Sequence, residues 1–465
     1  MKYFFLLMNA FICFNLLHSQ TPWEVVADNI DPTNYYDVTV ANGVIGAVSS
    51  PKPMKISDVV LNGTYDYYQR GIVSNILKTV NHLNMNLDID RNRISPKDIS
   101  NYKETLNMKT VSLETTFTAL DKAEVKTCMM ALRHLPYSAM IIVEIKATKD
   151  ILITPMSVIE VPVHLGDVRN YYAEIDRPHV NIPLMTSVGL SPSDRTKLAA
   201  SNSFIFEEAH DKEHALIHED WDYNMHLTKF HKQLKAGETY SFSIVASTCS
   251  SEQYEDPHNE AERLSIYAML EGKIRLLKAH RAAWDELWKS NVTVEGDDDI
   301  TRDIRFASYH LYSLASAGTS FSLSPMGLSG LGYNGHVFWD TELWMFPPLL
   351  MMQPDIAESL LNYRYERLDA AKQNAFAHRY KGAMFPWESA EDGSEDTPVW
   401  ALTGPFEHHI TGCIGWAFWK YYEVTQDKDW LEEKGYLVLK EIAAYCASRV
   451  KRNGRWHRAG RRYHS

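Results

Sequence analysis

The hydrophobic period of this chain changes once, near residue 250, so no single uniform architecture fits both parts. Before that point apolar and polar residues alternate. Val111, Leu113, Thr115 and Phe117 interleave with Ser112, Glu114 and Thr116, and Tyr240, Phe242 and Ile244 with Ser241 and Ser243. Period-two patterning broken by Gly, Pro, Asn and Asp predicts a large antiparallel β-sandwich over 21–255. The denser run Met140–Ile145 predicts an inner strand, and Asn42-Gly43 and Asn62-Gly63 predict turns. From Pro257 the period becomes helical. Ile274, Leu277, Trp284, Leu287 and Trp288 fall on one stripe, with Lys273, Lys278, Asp285 and Lys289 off it. This predicts a helical linker over 256–297. The acidic run Glu295–Asp299 reads as the first turn of a following helix, its carboxylates facing the helix dipole, rather than as a metal site.

The remainder, 298–465, is predicted helical, at Ile300–Ala317, Thr341–Met352, Asp355–Arg367, Asp369–Tyr380, Glu407–Val424 and Asp429–Val450. Ile414, Trp416, Ala417, Phe418, Trp419, Tyr421 and Tyr422 make one helix apolar nearly all round, which predicts an inner helix. Inner and outer helices in pairs suggest a toroid. Gly- and Ser-bearing loops at Ser320–Gly335 and Glu391–Pro405 join them.

With 465 residues and a formal net charge of −12, the chain is long enough for two or more domains and too acidic to suit nucleic acid or anionic membranes. Met1–Gln20 reads as a secretory leader, with Lys2 ahead of the apolar run Phe4–Leu17, which is too short to span a bilayer. A secreted or periplasmic protein is expected. Cys128, Cys249, Cys413 and Cys446 show no metal or disulfide framework spacing and are expected to be buried free thiols; a Cys128–Cys249 bridge has nothing to support it. His179, His210, His214 and His218 form no ligand pattern and are read as surface or structural residues. No metal and no cofactor is implied.

Chemistry concentrates in Gly332–Pro398. Trp339 stands beside Asp340, and Trp387 beside Glu388, each pair after a glycine-bearing loop. An indole covers one face of a sugar ring, and an adjacent carboxylate accepts its hydroxyl protons. Trp is equally a core residue and Asp340 equally a helix cap, so residue types alone leave both readings open.

Longer segments narrow this. Gly335-His336-Val337-Phe338-Trp339-Asp340-Thr341-Glu342, Leu361-Asn362-Tyr363-Arg364-Tyr365 and Lys381–Ala390 come in order, followed by Glu407-His408-His409-Ile410 and Ala447-Ser448-Arg449-Val450. In these the chain resembles glycoside hydrolase family 65, whose members include disaccharide phosphorylases, acid trehalases and kojibiose hydrolases. The resemblance implies a β-sandwich, a helical linker and an (α/α)6 barrel, here incomplete. It also implies an inverting reaction at a terminal α-linked glucose. By carry-over Asp340 grips glucose hydroxyls and Trp339 shapes the pocket, while Trp387, Glu388, Glu407 and His408 border it. Capping and packing remain the alternative for these last four. Arg364 is assigned no role.

The family's proton donor is a Glu expected shortly after Val450, but the sequence there runs to Ser465 with no Glu after Glu441. The proton donor is therefore expected beyond Ser465, and a frameshift or truncated gene is the reading of the basic tail, ahead of a nucleic-acid-binding tail. As given, the chain is expected to lack its acid, so no catalytic residue is named. The expected function is a secreted inverting hydrolase of α-linked glucose disaccharides or terminal α-glucosides. Trp344-Met345-Phe346-Pro347 and Gly404–Ile410 resemble the hydrolase branch more than the phosphorylases. A phosphorylase and a non-catalytic sugar-binding remnant are the alternatives. The expected partner is a small glucoside, with neither nucleic acid nor membrane, and oligomerisation is left open.

Overall fold

The computed structural model describes residues 21–459 apart from 31, 32, 34, 36, 69–72, 178, 179, 208–216, 223, 331, 454 and 455. The leader at Met1–Gln20, His179, His210 and His214 lie outside the described residues, and His218 is exposed.

The alternating half forms three antiparallel sheets. The largest has nine strands, in spatial order Glu24–Ala27, Ile99–Asn107, Ser112–Ala119, Ala123–Ala131, Ser138–Ala147, Thr239–Ser250, Lys197–Phe206, Val180–Leu190 and Gly166–Arg177. A second is built around Ile151–Glu160 and Asn81–Ile89, and a third around Ile45–Ser49 and Ile56–Tyr67. The first half of Ser138–Ala147 is covered on both faces. Ile141, Val143 and Ile145 share a core with Leu83, Met85, Leu87 and Ile153 of the second sheet. Met140 packs on the other side with Ala268 and Leu276 of helix α1 (Pro257–Leu287). Double coverage is why Ala139–Val143 is continuously apolar, while Glu144 and Lys146, further along, face solvent. Each such side chain buried contributes about 1.5–3 kcal/mol.

Asn42 makes the predicted turn: its Oδ1 accepts from Val44 N at 3.0 Å and Ile45 N at 2.9 Å. Asn62-Gly63 does not. It lies inside strand Ile56–Tyr67, where the pairing register shifts between Val60 and Tyr65. The ring of Phe321 rests on Gly63, where a Cβ would approach it to 2.3 Å, so the glycine serves packing rather than chain reversal.

Helix α1 breaks at Gly272 (φ 75°, ψ 160°). Of the predicted stripe, Trp284 and Trp288 are buried and Leu277 and Leu287 half-buried, with Leu276 and His280 buried beside them, but Ile274, two residues past the break, is 79% exposed. Asp297 caps helix α2 (Asp298–Leu314), accepting from Ile300 N at 2.9 Å, which is the role read for the acidic run. Arg133 of the sandwich joins the two halves, donating from Nη1 to Asn42 O, Tyr312 O and Ala315 O at 2.8–2.9 Å. Two of those carbonyls belong to the end of α2 and would otherwise lack donors.

Beyond α2 come α3 (Phe346–Met352), α4 (Pro354–Glu366), α5 (Leu368–Ala377), α6 (His409–Thr425), α7 (Lys428–Trp430) and α8 (Tyr436–Arg449). In α6, Ile414, Ala417, Phe418 and Tyr421 are buried, but Trp416 and Trp419 are 39% and 46% exposed. An inner helix covered all round is therefore not what the described residues form; α6 buries one face against α3, α4 and α8. The four described cysteines are free; Cys249 is buried, Cys128 and Cys413 are half-buried, and Cys446 is exposed rather than buried. Among the described residues no helix is long and apolar enough to cross a membrane.

Candidate functional site

The two indole–carboxylate segments, 48 residues apart, are stitched together by main chain. Val337 N donates to Ser389 O at 2.9 Å and Ser389 N to Val337 O at 3.0 Å. The first segment arrives through a tight turn, Gly332–Gly335, in which Tyr333 and Asn334 have φ of 53° and 57°. Gly335 (φ 72°) ends the turn against the sandwich, where a Cβ would lie 2.4 Å from Ile76. Its carbonyl accepts from Tyr65 Oη at 2.8 Å. Gly335→Ala is therefore expected to destabilise the protein by about 1–3 kcal/mol, through left-handed strain and overpacking together. A denaturant titration at unchanged slope checks this.

Asp340 opens a π turn, Thr341–Met345, that leads into α3. It occupies the cap position but makes no capping hydrogen bond. Thr341 Oγ1, donating to Leu323 O at 2.6 Å, pins the turn instead. Glu342 then enters a fully buried pair with Arg364 of α4: Nε donates to Oε1 at 2.7 Å and Nη2 to Oε2 at 3.1 Å. Arg364 Nη2 also donates to Phe338 O at 3.1 Å. One guanidinium thus ties both sides of Trp339-Asp340. Asp340 itself is half-buried, and no hydrogen bond or ion pair among the described residues engages its carboxylate. Its charge is felt by Cys413 of α6, whose thiol is pushed up mainly by burial, with Glu342 and Asp340 adding to it.

Trp339 is half-buried. His409, at the start of α6, meets it edge-on at 5.1 Å, and the 66% exposed Trp344 lies 6.5 Å away. Glu407 is half-buried beside His409, at 3.4 Å from its Nδ1. His408 turns the other way: its Nδ1 lies 2.5 Å from Tyr445 Oη of α8. The histidine next to Trp339 is therefore His409, a residue the sequence reading quoted but did not single out.

Trp387 is half-buried, with Phe338 edge-on at 5.6 Å. Gly404 lies behind it, where a Cβ would be 2.2 Å from the indole. Glu388 is 6% exposed, and its Oε2 lies 2.9 Å from His336 Nδ1. Glu395 accepts from the N–H groups of Trp387 and Glu388 at 2.9 and 3.3 Å, and Thr397 donates to it at 2.5 Å. Burial raises the Glu395 carboxyl above its ordinary range, partly offset by these bonds. His336, Glu395 and Asp396 frame the site, yet none was predicted as part of it. His336 carried a signal, since it lies within the quoted Gly335–Glu342 segment; Glu395 and Asp396 lay in a loop read only as a connection.

The sandwich reaches this frame twice more. Ser74 N and Oγ donate to Asp396 Oδ2 at 2.8 and 2.6 Å. Arg195 pairs with Glu391 at 3.0 Å. Glu391 is pushed up to about 7, first by burial, then by the Glu252 carboxylate that hydrogen-bonds to it and repels its charge. A folded-state carboxyl raised above its unfolded value binds extra protons in the native state, so its contribution to stability falls as pH rises from about 4.5 to about 7. Glu391→Gln should remove this slope. The difference in Tm between variant and parent is expected to move in the variant's favour between pH 5 and pH 8, and thermal scans at both pH values test it.

Among the described residues no group of three or more His, Cys, Asp or Glu is arranged to hold a metal. The proton-donor segment expected beyond Ser465 lies outside the described residues. The arrangement offers aromatic faces at Trp339 and Trp387, one unengaged carboxylate at Asp340 and a buttressed one at Glu388. That set suits a neutral polyhydroxylated ring.

A family model for the N-terminal domain of glycosyl hydrolase family 65 matches residues 38–287, and one for its central catalytic domain matches residues 305–460. A kojibiose hydrolase of Flavobacterium johnsoniae is 51% identical over 439 residues, covering 94% of this chain and 64% of its own length. One of Mucilaginibacter mallensis is 52% identical over 436 residues, with the same coverage of 94% and 64%. A kojibiose phosphorylase of Caldanaerobacter subterraneus is 42% identical over 187 residues, covering 38% of this chain and 24% of its own. A solved structure described as a putative kojibiose phosphorylase from human microbiome superposes with a TM-score of 0.78 at 16% identity, over 93% of this chain and 60% of that one. It shares the fold. The chain thus spans 64% of the length of the two hydrolases it matches.

Proposed function

The chain belongs to glycosyl hydrolase family 65, and from that premise we propose that the whole protein is an exported, inverting hydrolase of α-linked glucose disaccharides of the kojibiose type. In this reading Asp340 accepts hydroxyls of the terminal glucose and Trp339 covers its ring. Trp387, Glu388 and Glu407 border the same pocket, with His408 behind them through Tyr445. The helices from 298 onward form part of an (α/α)6 barrel, preceded by a sandwich over 21–255 and a linker over 256–297, and Met1–Gln20 directs export.

The observation that carries the reading is the unengaged Asp340 carboxylate beside a half-buried indole. A half-buried carboxylate without an internal partner is free to accept hydroxyl protons from a ligand. Similarity to the two hydrolases extends over 94% of the chain, against 38% for the phosphorylase, which favours water over phosphate as the nucleophile. Inversion requires about 6.5–9.5 Å between acid and base to admit that water.

The test is incubation of the whole protein with kojibiose, with and without phosphate. Two glucoses per disaccharide without phosphate, the one from the non-reducing end released as the β-anomer, support the proposal. Glucose 1-phosphate formed only with phosphate supports a phosphorylase, the second reading, which the phosphorylase relatives favour. Glucose binding that is lost in Asp340→Ala, without turnover on any α-glucoside, leaves a sugar-binding protein.

A further inference from the structure

His336 is fully buried and touches oxygens on both sides. Its Nε2 lies 2.8 Å from Ser74 O, 3.3 Å from Ser74 Oγ and 3.6 Å from Asp396 Oδ2. A backbone carbonyl only accepts, and the Ser74 hydroxyl donates its proton to Asp396 at 2.6 Å. Nε2 must therefore be the donor, which fixes the tautomer. Nδ1 faces Glu388 Oε2 at 2.9 Å, a contact that needs one proton between the two atoms. Oε2 is thereby engaged. Glu388 Oε1 makes no hydrogen bond among the described residues, and Glu395 holds the Glu388 N–H at 3.3 Å so that the main chain cannot swing.

We propose that His336 is a positioning residue that leaves Glu388 exactly one oxygen with which to accept a substrate hydroxyl, the imidazole itself being locked by sandwich strand Ser74–Lys78. The proposal rests on reading the site as a sugar pocket and names the hydroxyl-bearing ring beside Trp387 as the group that is aligned. A free carboxylate accepts from two adjacent hydroxyls in either orientation. One with a single oxygen left accepts in one direction only, so the ring beside Trp387 is held in one pose. The sandwich enters the chemistry by this route, since its carbonyl at Ser74 sets the imidazole that sets the carboxylate.

Two amide variants separate the two ring nitrogens. His336→Gln places an amide N–H where Nε2 was, keeping the Ser74 bond and losing Glu388. His336→Asn places one where Nδ1 was, keeping Glu388 and losing Ser74. In the whole protein acting on kojibiose, the Gln variant is expected to raise KM about tenfold with kcat within about twofold, and the Asn variant to leave KM within about twofold. Equal losses in both variants mean that the ring is only structural and overturn the proposal, as does an unchanged KM in the Gln variant. Nitrogen-15 spectra of the imidazole test the ring assignment without turnover. Nε2 should carry its proton in the unmodified protein, and Glu388→Ala should move the Nδ1 signal while Nε2 stays. A bare Nε2 overturns the proposal even in an active enzyme. If the unmodified protein neither cleaves an α-glucoside nor binds glucose, the sugar-pocket reading fails and takes the substrate half of the proposal with it, while the spectra still decide the ring.

Discussion

Arg364→Met is expected to destabilise the protein by about 3–5 kcal/mol, the largest effect of any single substitution considered for this site. Arg364 and Glu342 are each 1% exposed and face one another through two bonds, at 2.7 and 3.1 Å. Methionine fills much of the volume but removes the charge. Glu342 is then left ionised without a partner, or must take up a proton, and Phe338 O loses its donor. The desolvation of both ions is already spent in the folded protein, so deleting one of them uncovers the cost of the other. Replacing the pair together, Arg364→Met with Glu342→Leu, should recover most of the loss. Urea or guanidinium titrations of the two variants check this. A single variant within about 1 kcal/mol of the parent, or a double variant no better than the single, sinks the account. Asp340 lies two residues from Glu342, so activity should fall in the single variant even at temperatures where it remains folded.

Asp340→Asn is expected to do the reverse: to spare the fold and lose the reaction. The carboxylate caps no helix N–H and pairs with no cation among the described residues. Its removal breaks no internal bond, and stability should stay within about 1 kcal/mol of the parent. A hydrogen bond from a sugar hydroxyl to a charged acceptor contributes about 1.5–3 kcal/mol, so kcat/KM should drop by roughly 10- to 150-fold. Kinetics on kojibiose and a thermal scan of the same preparation measure both quantities. A variant that loses several kcal/mol of stability while keeping its turnover would return Asp340 to the role of a cap. The two substitutions therefore separate what holds the turn from what the turn holds.

Much of this architecture was legible in the residues. Alternation in Val111–Phe117 and Tyr240–Ile244 became the strands Ser112–Ala119 and Thr239–Ser250, because half-buried strands sort their side chains by parity. The dense run from Met140 became a strand whose first half is covered on both faces. Asp297 became a cap. Trp339 and Asp340 stood out because the flanking residues resembled a known family. Misreadings came where local pattern met long-range packing. Asn62-Gly63 has the composition of a turn, yet Phe321, more than 250 residues later, needs the bare backbone there. Ile274 fits the helical stripe, but it directly follows the Gly272 break and is left 79% exposed. Glu407-His408-His409 reads as one group, but only the helical phase of α6 decides that His408 meets Tyr445 and His409 meets Trp339.

The order of side chains along the chain determined which elements form, where the period changes, and that two indole–carboxylate pairs exist, because strand and helix periodicity and capping are local properties. The spatial relation of those pairs was decided by tertiary structure alone. The Val337–Ser389 bridge, the Glu342–Arg364 clamp and the line from Ser74 through His336 to Glu388 join residues 22 to more than 250 positions apart. Such bonds gain their strength from exclusion of water, and water is excluded only after the sandwich and the helices have packed together.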